Sequence, residues 1–146
     1  MANTYLLDSN ILVYAINSQS VYHDKALKIL KQAMHGKINC CITLQNIYET
    51  YAVITDKKRI ERPLSSAAAV KVLETNFLNN TGLKIIYQGT DLLPLLLNML
   101  KKYKIKCQGI FDIVLVATMI GNNIKGIITM DTKRFNKFKF LKVLSL

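Results

Sequence analysis

GIITMDTKRF, residues 126–135, decides how the chain folds. An apolar run from Gly126 to Met130 stops at Asp131, one of only nine acids, and the basic residues Lys133 and Arg134 follow at once. A short apolar run without polar alternation reads as a strand buried on both faces, as in a parallel sheet. FDIVLVATMI, residues 111–120, precedes it and is stopped by Gly121 and Asn122, which is how a helix ends. A helix followed by a buried strand is the second half of a βαβ crossover.

The same alternation extends in both directions. TYLL (4–7), INCCIT (38–43), LKIIY (83–87) and LKVLSL (141–146) are further strand candidates. HDKALKILKQAMHGK (23–37) places Ala26, Leu27, Leu30, Ala33 and Met34 at helical spacing, with Gly36 as a stop. A helix following Thr43 is expected to present Leu44, Ile47, Tyr48, Tyr51 and Ile54 on one face and to end before Pro63. SSAAAVKVLETNFLNN (65–80) is capped by Ser65 or Ser66 and closes near Gly82, and Thr90 and Asp91 cap LLPLLLNMLKKY (92–103). With helices between strands and no Asn-Gly hairpin signal, the pattern predicts an α/β fold with a mostly parallel sheet covered on both faces. At 146 residues it forms a single domain spanning 1–146.

Composition narrows the function. Twenty Lys and Arg against nine Asp and Glu give a formal charge of +11, which favours a polyanionic partner such as nucleic acid. The richest apolar stretch, LLPLLLNML, is far shorter than the roughly 20 residues of a membrane span, and MANTYLLDSN has no basic leader, so the expected address is cytoplasmic. Three cysteines, two adjacent in INCCITL, match neither a disulfide framework nor a zinc spacing and are expected as buried strand thiols.

The acids carry the chemistry. Asp8 and Asp131 each follow a strand candidate, Asp112 opens the most apolar helix, and Glu49 lies in the helix after INCCIT. A capping reading is open for Asp8, Asp112 and Asp131, worth roughly 0.5–2 kcal/mol each, and Glu49 also fits a solvated helix face. Ligands of open parallel sheets bind outside the carboxyl ends of the strands, where these acids would meet. Two carboxylates about 5 Å apart at an effective dielectric of about 20 repel by roughly 3 kcal/mol, so a cluster needs a counter-cation. Oxygen donors without His or Cys suit Mg²⁺ or Mn²⁺, and an acidic metal site on a basic surface describes a phosphodiester hydrolase.

YLLDSNILVYA near the start, a glutamate about forty residues later, FDIVLVATMI and GIITMDTKRF together resemble the PIN-domain family, and within it the VapC-type toxins. The resemblance covers essentially the whole chain. It implies a three-layer α/β/α sandwich and a Mg²⁺- or Mn²⁺-dependent endoribonuclease, with Asp8, Glu49, Asp112 and Asp131 as the catalytic metal ligands. By motif position Ser9, Asn10 and Thr129 support those acids. It further implies a homodimer, an RNA substrate and, for a toxin, a small antitoxin protein that obstructs the site.

Lys133 and Arg134 are the nearest candidates for RNA phosphate contact, with KKR (57–59) and KKYKIK (101–106) as further basic runs. His23 and His35 fall on a surface helix and its end and are not expected to act as bases. Two other readings use the same sequence: a housekeeping RNA-processing nuclease, and a non-catalytic RNA- or protein-binding module in which the acids are caps.

Overall fold

The computed structural model describes residues 3–80 and 82–146. Its strands are β1 (Tyr5–Leu7), β2 (Cys40–Thr43), β3 (Lys84–Ile86), β4 (Gly126–Ile128) and β5 (Lys142–Leu144). They form one parallel sheet in the order β3-β2-β1-β4-β5. The helices are α1 (Ser9–Ile16), α2 (His23–Met34), α3 (Leu44–Ile54), α4 (Ser66–Leu73), α5 (Leu92–Tyr103) and α6 (Ile110–Gly121). Each strand candidate read from the sequence contributes one strand.

The pleat explains why short apolar runs suffice. Leu6 pairs with Cys41 and Ile127, and all three face a core shared with α5, α6, Phe135 and Phe138. Their neighbours Leu7, Cys40, Ile42 and Ile128 point the other way, into a core shared with α1, α2 and Phe77. Two helical layers thus sandwich the sheet, the three-layer α/β/α arrangement. A smaller cluster of Val13, Ile54, Ile60 and Ala69 joins α1, α3 and α4. Among the described residues no helix is long and apolar enough to cross a membrane.

Several local expectations are corrected. Leu44 and Tyr48 of α3 are exposed, while Asn46 and Thr50 are buried in their place. These polar groups are satisfied locally: Asn46 accepts from the Thr43 backbone in a capping box, and Thr50 donates to the Asn46 carbonyl. Of the two expected caps of α4, Ser65 is the one used, but the helix widens into a π turn over Glu74–Leu78. Asp91 sits at the start of α5 without a side-chain capping bond. Burial pushes the Cys40 thiol up to about 11 and Cys41 to about 12, so both are inert at neutral pH, but Cys107 is exposed on a 3-10 turn before α6.

One close approach fixes the return from the π turn to β3. Gly82 donates its backbone N–H to Met34 O at 3.1 Å, lying against the end of α2 where Gly36 takes a left-handed φ of 69°. A Cβ on Gly82 would stand 2.3 Å from Ala33 O, 2.4 Å from Gly36 N and 2.6 Å from Met34 O.

Candidate active site

Chain order reverses between β1 and β4, and their carboxyl ends open a crevice of the kind that holds ligands in doubly wound sheets. Asp8 leaves β1 at this point and is 1% exposed. Its Oδ1 accepts the Ser9 N–H at 2.8 Å, and its Oδ2 accepts from Thr129 Oγ1 at 2.7 Å and from Asn10 Nδ2 at 3.3 Å. Burial raises its pKa above the ordinary 3.8; the Thr129 hydrogen bond, the Arg134 charge and the Ser9 N–H oppose the rise, and the Glu49 charge adds to it.

Thr129 joins the two strands chemically. Besides donating to Asp8, its Oγ1 accepts the Asp131 N–H at 3.0 Å and Asn10 Nδ2 at 3.3 Å. Asn10 in turn accepts the Met130 N–H at 3.2 Å through its own carbonyl. Glu49, half-buried on α3, accepts from Ser9 Oγ at 2.5 Å and from Gln45 Nε2 at 2.9 Å. Asn46 Nδ2 donates to Ser9 Oγ at 3.1 Å, and Gln45 Nε2 reaches the Phe111 carbonyl at 2.9 Å, tying α3 to α6. Among the described residues no buried side-chain nitrogen or oxygen lacks a partner.

Asp112 lies in the first turn of α6 and meets Asp8 through Arg134. The guanidinium grips Asp112 with Nη2 on Oδ1 and with Nε 3.3 Å from Oδ2, and its Nη1 lies 3.4 Å from Asp8 Oδ2. Asp8, Glu49, Asp112 and Arg134 line a cleft of about 740 Å³ that also takes in Arg59. Asp131 is not among the residues lining it: the side chain is exposed and does not cap the 3-10 turn Thr132–Arg134, although its charge helps hold Arg134 protonated. Lys133 is exposed on the same turn, and Arg134, expected to face RNA phosphate, points at carboxylates instead.

Among the described residues no three Asp, Glu, His or Cys stand close enough together to hold a metal ion. The donor set nevertheless fits one. Asp8 and Asp112 converge on a single positive centre, the guanidinium, and the oxygens they offer, with Glu49 across Ser9, are those a hard divalent ion takes.

Some of this was not read from the sequence. Gln45 and Asn46 bind the acids or their supports, and Arg59 is the one member of KKR that lines the cleft. The Thr43–Asn46 capping spacing was the available signal for Asn46. Nothing distinguished Arg59 from its neighbours.

The raised pKa of Asp8 makes a prediction with a definite sign. The folded chain holds this proton more tightly than the unfolded one, so the contribution of Asp8 to stability is complete below about pH 3.8 and is lost as pH rises through the folded pKa. The stability of Asp8→Asn relative to wild type, measured by denaturant unfolding between about pH 3 and 7, should therefore increase with pH. Parallel curves would contradict it.

A family comparison matches the PIN domain over residues 5–141. No curated protein matches the chain. Among solved structures, VapBC2 from Rickettsia felis, bound to a DNA fragment from its promoter, is similar with a TM-score of 0.62 and 21% identity over 98% of each chain. DNA-bound VapBC from Salmonella typhimurium has a TM-score of 0.66 and 12% identity over 99% of this chain and 98% of that one. VapC20 from Mycobacterium tuberculosis, described as a sarcin-ricin loop cleaving toxin, has a TM-score of 0.59 and 14% identity over 84% of this chain and 86% of that one. At these identities the structures speak for the fold. The family match takes in the strands and helices that carry Asp8, Glu49, Asp112 and Asp131, and the chain belongs to the PIN-domain family.

Proposed function

We propose that the protein is a metal-dependent endoribonuclease of the VapC type, the toxin of a toxin–antitoxin pair acting in the cytoplasm. The observation that carries this is the convergence of Asp8 and Asp112 on one cation at the β1/β4 crevice, with Glu49 joined to the same place through Ser9. Family membership, the VapBC structures and the sarcin-ricin loop cleaving toxin VapC20 among the similar structures support it. The proposed partners are RNA as substrate, a small antitoxin and a second copy of the chain.

Asp8, Glu49 and Asp112 are the residues that would hold Mg²⁺ or Mn²⁺; Asp131, whose exposed carboxylate lies outside the cleft, is not among them. When bound, the ion would supply Lewis acidity for attack of water on the phosphodiester and for the charge that develops there. Thr129, just after β4, and Asn10, on α1, fix the Asp8 carboxylate, and Ser9 with Gln45 fixes Glu49. Burial at the base of the cleft keeps Asp8 in one orientation, so no reorganisation is needed as charge develops. Arg59 on the cleft wall and Lys133 on the exposed turn are the proposed phosphate contacts, in keeping with the +11 charge.

The test is incubation of the protein with structured and unstructured RNAs in Mg²⁺, in Mn²⁺ and in EDTA. Cleavage that requires the metal and is lost in EDTA is expected. Cleavage that resists the chelator would overturn the metal dependence. RNA binding without cleavage in any metal would favour the non-catalytic module.

A further inference from the structure

The position between Asp8 and Asp112 is already filled by a cation that belongs to the chain. Arg134 offers three N–H donors to the two carboxylates, and its planar fork suits the bidentate grip on Asp112. The environment divides the three groups unequally. The Asp8 and Asp112 side chains are 1% and 15% exposed, whereas that of Arg134 is 35% exposed. Arg134 follows β4 on a short 3-10 turn, with its guanidinium 5.0 Å from the centre of the buried Phe135 ring. Its head can therefore rotate into water without opening the core, a freedom the two acids lack.

We propose that Arg134 is a resident counter-cation, which closes the Asp8–Asp112 pair in the metal-free protein and must leave it before a divalent ion binds between the same carboxylates. The inference rests on the metal-dependent reading above and adds a competitor to it. Without Arg134 the two carboxylates would face each other across the crevice with only water between them, which costs stability and sharpens their demand for a cation. With Arg134 in place, a divalent ion gains only the difference between its own attraction and that of the guanidinium. Metal loading and release of the arginine become one exchange, and the released head lies beside the cleft where RNA phosphate would arrive.

The experiment uses the full chain without RNA. Mn²⁺ binding is measured by titration calorimetry for wild type, Arg134→Met and Arg134→Lys, with thermal unfolding of each in the absence of metal. Arg134→Met should bind Mn²⁺ at least about tenfold more tightly than wild type and unfold at a lower temperature when metal-free, with Arg134→Lys between them. Equal or weaker Mn²⁺ binding by Arg134→Met overturns the proposal. A second measurement needs no variant: the Arg134 Nε–H resonance of wild type should lose its protection from solvent exchange when Mg²⁺ is added to saturation, and a resonance that stays protected overturns it. If wild type binds and cleaves RNA with metal while Arg134→Met is no tighter, the proposal alone fails. If wild type neither binds metal nor cleaves, the functional reading fails with it.

Discussion

On the proposed function, Asp8→Asn is expected to remain folded while metal-dependent RNA cleavage falls by about three orders of magnitude, equivalent to about 4 kcal/mol of transition-state stabilisation. The substitution preserves shape and removes a buried charge. The Ser9 N–H can still be accepted at one position, but an amide NH₂ at the other would face the donors Thr129 Oγ1, Asn10 Nδ2 and Arg134 Nη1. The Thr129 hydroxyl can turn to accept instead, whereas Asn10 is held by its carbonyl's bond from the Met130 N–H, so the structural cost is about one or two hydrogen bonds, offset in part by relief from burying an ion. Catalysis has no such compensation, because a neutral amide neither neutralises a divalent ion nor orders it. Asp112→Asn should lose comparable activity with a smaller structural change, since Asp112 is more exposed and its partner is Arg134 alone. Single-turnover cleavage alongside circular dichroism checks both variants. A loss under about tenfold in each would mean that the acids are caps and ion-pair partners and the chemistry lies elsewhere.

Gly82→Ala should destabilise the fold by about 3 kcal/mol or more, lowering the melting temperature by about 10 °C for a domain of this size. The cause is steric and belongs to the backbone. All three atoms that a Cβ would meet are main-chain atoms at the end of α2, and the closest, Ala33 O, would be at 2.3 Å. A flexible side chain could move aside, but these atoms cannot without breaking the Gly82 N–H to Met34 O bond that docks the chain before β3. Gly89→Ala provides the control, since its Cβ would meet nothing within 4 Å and should change stability by no more than about 0.5 kcal/mol. Equal melting temperatures for the two variants would show that the α2 terminus yields freely.

The strands and most helices were legible because apolar run length and Gly, Ser and Thr punctuation are local properties. The order and context of the acids was likewise legible through the family resemblance. What the sequence concealed were facts about direction. Leu44 and Tyr48 complete an apolar stripe on paper, yet α3 turns Asn46 and Thr50 inward because they cap, brace and reach Ser9 at the sheet end. Arg134 reads in the sequence as a phosphate contact beside Asp131, and only the three-dimensional meeting of β1, β4 and α6 gives it two carboxylates to hold. Asp131 shows the converse: the sequence places it right after a buried strand, and its backbone N–H does join the Thr129 network, but its carboxylate stays outside the cleft. Cys107 differs from the other two thiols because its left-handed φ of 56° belongs to a turn, not a strand.

The adjacency of β1 and β4 also sets a schedule. Asp8 is synthesised early, but the hydroxyl that orients it, Thr129, lies 121 residues further along, and Arg134 lies 126 further. A nascent chain that has emerged only as far as α6 carries Asp8, Glu49 and Asp112 but has no β4 to align beside β1. Under the proposed function, such a nascent chain would leave RNA intact until β4 has emerged. On that function the cleft is assembled, and first needs restraint by any partner, only once β4 and the turn that carries Arg134 have been made.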